Sequence, residues 1–213
     1  MSLDVRQLTV GPIAENCFVV RRTDSGKALV VDPGEEPERI LAEIEQTGAA
    51  VEAILITHCH FDHVGAVAPL ARATGAPVYC PEIEVPVLAD IMSFAMPGFG
   101  PYESYEADEV VKGGEALELA DLTLDVLFTP GHSPGHVTYV VRDEAAIFSG
   151  DVLFQGSVGR VDLPGGDGPT LLRSIRALLD SQPAETTVYP GHMGVTTLAA
   201  ERATNPFLAE LAR

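Results

Sequence analysis

The 213 residues carry 31 Asp and Glu against 13 Lys and Arg, a formal charge of −18 at pH 7, and 46% of them are hydrophobic. That apolar fraction over that length suits one globular unit with a sizeable core, not a disordered or fibrous chain. The acidic balance, with no compensating basic patch, disfavours nucleic acid as a partner.

The opening stretch "MSLDVRQLTVGPIAENCFVV" lacks the basic start and unbroken apolar run of a secretory signal. No later stretch approaches the roughly 18 apolar residues of a membrane span, so a protein without membrane attachment, working in the cytoplasm, is expected. Cys17, Cys59 and Cys80 show no Cys-x-x-Cys spacing. Neither a disulfide framework nor a thiolate zinc site is signalled, which fits a reducing compartment.

In chain order, "RRTDSGKA" predicts a hairpin between early antiparallel strands, and "ALVVDPG" the end of a buried strand. "EEPERILAEIEQTG" follows as a helix, with Pro37 near its start, Ile40, Leu41 and Ile44 on one face, and Gly48 as its stop. "VEAILITHCH" reads as a strand and "VGAVAPLARATG" as a helix. The stretch from Pro81 to Gly114, rich in Pro, Gly, Phe, Tyr and Met, reads either as a helix with a packed connection or as a lid or wall over a site. "LTLDVLFTPGH", "AAIFSGD" and "TTVYPGH" are further buried strands, with the helix "PTLLRSIRALLDSQP" before the last of them. Strands alternating with helices predict an α/β layered fold with mixed sheets. Asp32, His58, His132, Asp151 and His192 all fall just beyond strand C-termini, where such folds gather their sites.

Histidine is scarce, six in all, yet three of them share the stretch "THCHFDH" over Thr57–His63. Imidazole and carboxylate suit zinc, iron and manganese. On an extended segment His58 and His60 can face one point, and after a turn Asp62 and His63 can serve a second nearby. His132 and His136 lie in "TPGHSPGH" and His192 in "YPGH", both loops shaped by Pro and Gly. His136 reads as a supporting group, since a ligand histidine needs a partner that sets its tautomer. Cys59, between His58 and His60, points the other way and packs as a small apolar residue.

"THCHFDH", "TPGHSPGH", "FSGDVLF" and "YPGH", in that order over nearly the whole chain, resemble the metallo-β-lactamase superfamily. "GSVGRVDLPGGD" and "ERATNPFL" further resemble its glyoxalase II-like, hydroxyacylglutathione hydrolase-like branch. The resemblance implies a four-layer αβ/βα sandwich, one domain over residues 1–213, binding two divalent transition metals, zinc foremost with iron or manganese as alternatives. It implies His58, His60 and His132 around the first metal, Asp62, His63 and His192 around the second, and Asp151 bridging. It also makes Asp32, in "VVDPG", a support behind the ligands, although the Asp-Pro-Gly turn accounts for those letters too.

The activity implied is metal-dependent hydrolysis of a small-molecule thioester such as S-lactoylglutathione, by a water activated between the metals, with Asp62 and Asp151 as the catalytic carboxylates. Persulfide dioxygenases, with one iron, and lactonases share several of the same motifs and stand as alternatives. Antibiotic-hydrolysing relatives often carry Cys at the position of Asp151, and flavodiiron reductases Glu at that of His60. Classical glyoxalase II adds a basic helical C-terminal region, whereas this sequence ends soon after "NPFL". Arg160 is expected either to grip a carboxylate of the thiol carrier or to pair with Asp162 or Asp167.

Overall fold

The computed structural model describes residues 2–209; Met1 and residues 210–213 of the expected 1–213 domain lie outside the described residues. Strands β1 (Leu3–Val10), β2 (Glu15–Arg22) and β3 (Lys27–Val31) form an antiparallel meander, with the expected hairpin turn between β2 and β3. Helix α1 (Pro37–Thr47) leads to β4 (Ala50–Leu55), helices α2 (Phe61–Val64) and α3 (Val67–Thr74) to β5 (Val78–Pro81), and α4 (Val85–Ala89) and α5 (Ile91–Phe94) to β6 (Glu109–Val111). β3, β4, β5 and β6 are mutually parallel, which completes a mixed six-stranded sheet in simple sequence order. The second half gives β7 (Ala116–Leu119), β8 (Leu122–Phe128), β9 (Val137–Val141) and β10 (Ala146–Gly150), then a small ribbon of β11 (Leu153–Phe154) and β12 (Ser157–Val158). Helix α6 (Gly168–Ser181), β13 (Thr187–Pro190), β14 (Thr196–Thr197) and α7 (Leu198–Thr204) follow. The second sheet runs β14-β13-β10-β9-β8-β7, and only its β10–β13 pairing is parallel.

Strand periodicity separates the layers. In β2, Cys17 and Val19 join the core under α1 and α3, while Phe18 and Val20 face the second sheet. β3 divides likewise, Ala28 and Val30 from Leu29 and Val31. β8 buries Leu122, Leu124 and Val126 against that inter-sheet core, and Ile147 and Val188 pack beneath α6 with Leu171, Ile175 and Leu178. Helix, sheet, sheet and helix therefore stack as four layers, because continuous apolar strands must be covered on both faces.

The helix expected in "VGAVAPLARATG" forms as α3 but starts at Val67, because Val64 ends the short α2 and Gly65 and Ala66 separate the two. A Cβ on Gly65 would press on the Gly34 carbonyl and the Tyr102 ring, so the close packing there needs a glycine more than it needs helix continuity. Gly34 is under a similar constraint, since a Cβ there would fall inside the contact radius of the Asp62 carbonyl oxygen and crowd Glu15. Gly34→Ala is therefore expected to cost about 3 kcal/mol or more, read from the denaturant midpoint; a loss under about 1 kcal/mol would mean the two loops separate freely.

The Pro81–Gly114 stretch contains α4, α5 and β6, joined by a long connection. Met96, Phe99, Tyr102 and Tyr105 pack on the core under α1 and α3, while Ile83, Phe94 and Met96 line a cavity, so the stretch is both a packed connection and a wall.

Candidate metal centre

The parallel pairing of β3 with β4 and of β10 with β13 delivers the loops beyond these strands to one edge of the sandwich. Two cross-sheet bonds fasten the edge: Val137 N–H donates to the Thr57 carbonyl at 2.9 Å, and the buried Tyr139 hydroxyl to the Ile56 carbonyl at 2.9 Å. Three ring nitrogens converge there. His58 Nε2 lies 3.0 Å from His60 Nδ1, and His132 Nε2 lies 3.2 Å from the first and 2.8 Å from the second. Their tautomers follow from the other ring nitrogens. The Thr57 hydroxyl donates to Asp32 Oδ2 at 2.6 Å, so its oxygen accepts from His58 Nδ1–H at 3.1 Å. His132 Nδ1–H donates to the Arg160 carbonyl at 2.8 Å. The Nε2 lone pairs of His58 and His132 therefore point inward, toward one another and toward His60, an arrangement that suits a cation between them. Donors about 2.0–2.1 Å from one tetrahedral ion stand roughly 3.3 Å apart, close to these spacings.

A second group adjoins the first. Asp62 and His63 lie on α2, and His192 in the loop after β13. Asp62 Oδ2 is 3.3 Å from His192 Nε2 and 3.9 Å from His63 Nε2. Asp151 faces both groups, with Oδ1 3.4 Å from His63 Nε2 and Oδ2 3.4 Å from His132 Nε2 and 3.5 Å from His192 Nε2. His63 Nε2 and Asp151 Oδ1 are buried with no hydrogen-bond partner, a costly condition that a bound cation relieves. Gly191 keeps the place open, since a Cβ there would crowd Asp151 Oδ1 and His63 Cε1. By donor type, spacing and orphaned atoms, the residues present fit divalent transition ions. Asp32, His58 and His63 also lie close together, but there His63 Nδ1–H is bonded to Asp32, His58 Nδ1–H to the Thr57 hydroxyl, and Asp32 also accepts from Thr57.

The metallo-beta-lactamase superfamily model matches residues 10–192. The chain belongs to the metallo-β-lactamase superfamily. A relative from Bacillus subtilis, "Probable metallo-hydrolase YqgX", is 41% identical over 95% of this chain and 96% of its own length. "Hydroxyacylglutathione hydrolase GloC" of Haemophilus influenzae is 32% identical over 97% and 98%. Among solved structures, the BLEG-1 B3 metallo-beta-lactamase has a TM-score of 0.91 at 38% identity, covering 97% of this chain and 100% of its own. TTHA1623 in a di-iron-bound form has a TM-score of 0.81 at 42% identity, covering 96% and 100%. The four-layer sandwich is the superfamily's fold.

Within this superfamily site, burial and charge divide the histidines by protonation. Burial, helped by the neighbouring His63 charge, holds His58 well below the ordinary histidine range, and burial with His132 draws His60 down to about 4. For His63 burial is outweighed by Asp151 and Asp62, which raise it well above that range, and His192 is raised by its bond to Asp62 and by Asp151 against the same opposing burial. Asp151 is held well below the carboxylate range, His63 overcoming its burial, and Asp62 is lowered for the same reason. A raised histidine keeps its proton to higher pH, and that proton must leave before the nitrogen can ligate. Chelator-stripped protein is accordingly expected to take up an ion at Asp62, His63 and His192 with proton release and with affinity that rises with pH. Titration calorimetry in two buffers of different ionisation enthalpy counts the protons, and uptake of the second ion equally tight at about pH 6 and pH 8 contradicts the expectation.

Supporting residues surround the cluster. Asp32, at φ 49° in the left-handed region that Asp tolerates, accepts from Thr57 N–H at 2.7 Å and from His63 Nδ1–H at 3.1 Å, so it both makes the turn and orients a histidine. His136 stands apart from the converging nitrogens. Its Nε2 accepts from Asp151 N–H at 3.0 Å, so Nδ1 carries the proton toward Thr129 Oγ1 at 3.1 Å, and burial keeps the ring neutral.

Three further residues were not singled out from the sequence. Asn16 uses its whole amide, donating to the Pro190 and Met193 carbonyls on either side of His192 and accepting from Gln7 and Thr9. Glu84, also buried, accepts from Ser133 Oγ at 2.7 Å, Gly135 N–H at 2.8 Å and Cys59 N–H at 3.4 Å, joining the loops that carry His132 and His58. Glu15 is buried 3.7 Å from His63 Nδ1, and burial raises its carboxyl well above the ordinary range. A polar pair heading an apolar strand, "ENCFVV", is the one signal for Asn16 and Glu15; "PEIEV" gives none for Glu84.

Arg160 makes one of the two ion pairs that the sequence allowed. Its guanidinium closes on Asp162 with two bonds of 2.7 and 2.8 Å, while Asp167 instead caps α6 through Thr170 N–H. The pair is solvent-exposed at 55% and 68%, and Arg160 also lines the cavity over the site. Cys59 packs in the core, its sulfur 3.6 Å from that of Cys80. No helix among the described residues is long and apolar enough to cross a membrane.

Proposed function

We propose that this superfamily member is a binuclear metallohydrolase that cleaves a small-molecule thioester. The carrying observation is Asp151, a single carboxylate facing both the His58–His60–His132 nitrogens and the Asp62–His63–His192 group, at the floor of a cavity of about 960 Å³. The activity named for the Haemophilus influenzae relative supports the choice of bond. On this reading His58, His60 and His132 would hold one metal and Asp62, His63 and His192 the other, with Asp151 offered to both; zinc is the first choice, with the di-iron neighbour supporting iron and the donor set also accepting manganese. When bound, the metals would supply a water acidic enough to attack at neutral pH and positive charge for the carbonyl oxygen. Asp62, partly exposed to the cavity and kept ionised by His63 and His192, turns Oδ2 to those histidines, and its other oxygen would accept a hydrogen bond from that water and orient it. Asp32, Thr57, His136 and Glu84 hold the ligands in place and take no part in proton transfer. Three buried cysteines without disulfides support work in the cytoplasm.

A side-by-side assay tests the reading: thioester hydrolysis with S-lactoylglutathione and simpler thioesters, lactone opening, β-lactam opening, and oxygen uptake with glutathione persulfide, alongside elemental analysis. Thioester cleavage should dominate, with about two transition metals per chain. One tightly held iron with oxygen uptake and no thioester cleavage would establish the dioxygenase alternative, and dominant lactone opening the lactonase. The β-lactam arm is included because BLEG-1, named a B3 metallo-beta-lactamase, is 38% identical.

A further inference from the structure

The cavity over the two groups, about 960 Å³, lies at the upper end of small-molecule sites. Its floor is polar but its walls are not. Ile13 comes from the turn between β1 and β2, Ile83, Phe94 and Met96 from the Pro81–Gly114 stretch, Leu163 from the segment after Arg160, and Met193 from the loop after His192. Ile13, Ile83, Phe94 and Met193 are 37%, 52%, 58% and 55% exposed, so large apolar side chains from separate parts of the chain stand in water around one opening. A patch of that kind marks a binding surface for apolar groups.

The charges tell the same way. Arg160 is the one Lys or Arg among the cavity-lining residues, and two of its N–H groups are bonded to Asp162. On the thioester reading Asp62 and Asp151 would be offset by the metals at the floor, where the scissile carbonyl lies, so Glu84 and Arg160 are the charged residues among the rest of the lining. A glutathione arm brings two carboxylates and one ammonium, and along the walls, away from the metals, each carboxylate loses water and meets one cation, Arg160, already paired with Asp162.

Resting on the thioester reading, we infer that the substrate is a thioester with an apolar, uncharged body: an aliphatic acyl chain of several carbons, or an aryl acyl group, on a thiol that carries no carboxylate. Each methylene moved from water onto the walls strengthens binding by about fourfold, so a six-carbon chain gains more than one contact with a lactoyl group could supply.

The test separates binding from reaction. The metal-loaded full chain is titrated calorimetrically with four thioethers that lack a scissile carbonyl, the S-hexyl and S-methyl forms of N-acetylcysteamine and of glutathione. S-hexyl-N-acetylcysteamine is expected to bind at least about tenfold tighter than S-hexylglutathione and about 10³-fold tighter than its own S-methyl form, five methylenes at about fourfold each, and Phe94→Ala to cut the hexyl advantage at least about tenfold while metal content stays at the wild-type value. Tighter binding of the glutathione forms, or equal binding of hexyl and methyl forms, overturns the inference. Turnover of the hexanoyl and lactoyl thioesters of both thiols is then measured. If S-lactoylglutathione is the best substrate, the thioester reading stands and this inference falls. If the thioethers bind in the expected order but no thioester is cleaved, the thioester reading falls, and the apolar, neutral ligand class stands for a different scissile bond.

Discussion

Asp151→Ala is expected to lower metal content from about two ions per chain to one or fewer and thioester hydrolysis by at least about 10³-fold. Asp151 is 6% exposed, and its two oxygens face His63 on one side and His132 and His192 on the other. Its removal takes a donor from both groups at once and leaves three imidazoles around an apolar gap. Loss of the metals' transition-state stabilisation, several kcal/mol, translates into about three powers of ten in rate when 4 kcal/mol is lost. Asp151→Asn separates charge from shape. It keeps the volume and one carbonyl oxygen, so partial metal retention with activity still strongly reduced points to the negative charge as the essential property. Elemental analysis and initial rates on the same preparations provide the check, and an Asp151→Ala protein with two metals and near-wild-type rates would remove Asp151 from the site.

The second large effect is expected at Asn16, a residue that touches none of the candidate donors. Its Nδ2 donates to the Pro190 carbonyl at 3.0 Å and the Met193 carbonyl at 2.9 Å, and its Oδ1 accepts from Gln7 Nε2 at 2.7 Å and Thr9 Oγ1 at 3.0 Å. The loop it clamps carries His192, and Met193 sits at φ 68° in the left-handed region, a conformation held by its surroundings. Asn16→Ala leaves the Gln7 and Thr9 donors, a buried carbonyl at Pro190 and a part-buried one at Met193 without this partner and should cost about 3 kcal/mol in denaturant unfolding. The ion held through His192 should bind about 10- to 100-fold more weakly, while the one at His58, His60 and His132 is retained. Asn16→Asp should fare no better, because a carboxylate presents lone pairs to the two carbonyls that need a donor. Wild-type affinity for both ions in either variant would show that the loop holds its place without the amide.

Much of this site is legible in the sequence because its donors are crowded and scarce. Half of the histidines sit in Thr57–His63, and the others follow Pro-Gly turns at strand ends, so pattern alone points to a metal-binding cluster. The layered α/β fold is legible for a similar reason, since continuous apolar runs broken by turn residues must be buried on both faces. Asn16 and Glu84 are different. Asn16 bonds to carbonyls 174 and 177 positions away, and Glu84 to groups 49 and 51 positions away, so nothing near them in the chain reveals what they hold. The break at Gly65 likewise depends on Tyr102 and Gly34 closing in, and local helix preference cannot anticipate a neighbour so distant in sequence. Arg160 lies between the two cases: its letters allowed an ion pair with Asp162 or with Asp167, and the direction of one side chain chose Asp162. The sequence by itself determined which donors are available and at which strand ends they lie, because those follow from local pattern. Only the tertiary structure decided which nitrogens face inward, which polar residues are spent holding loops, and that the walls over the site are apolar, because each of these depends on contacts between segments distant in the chain.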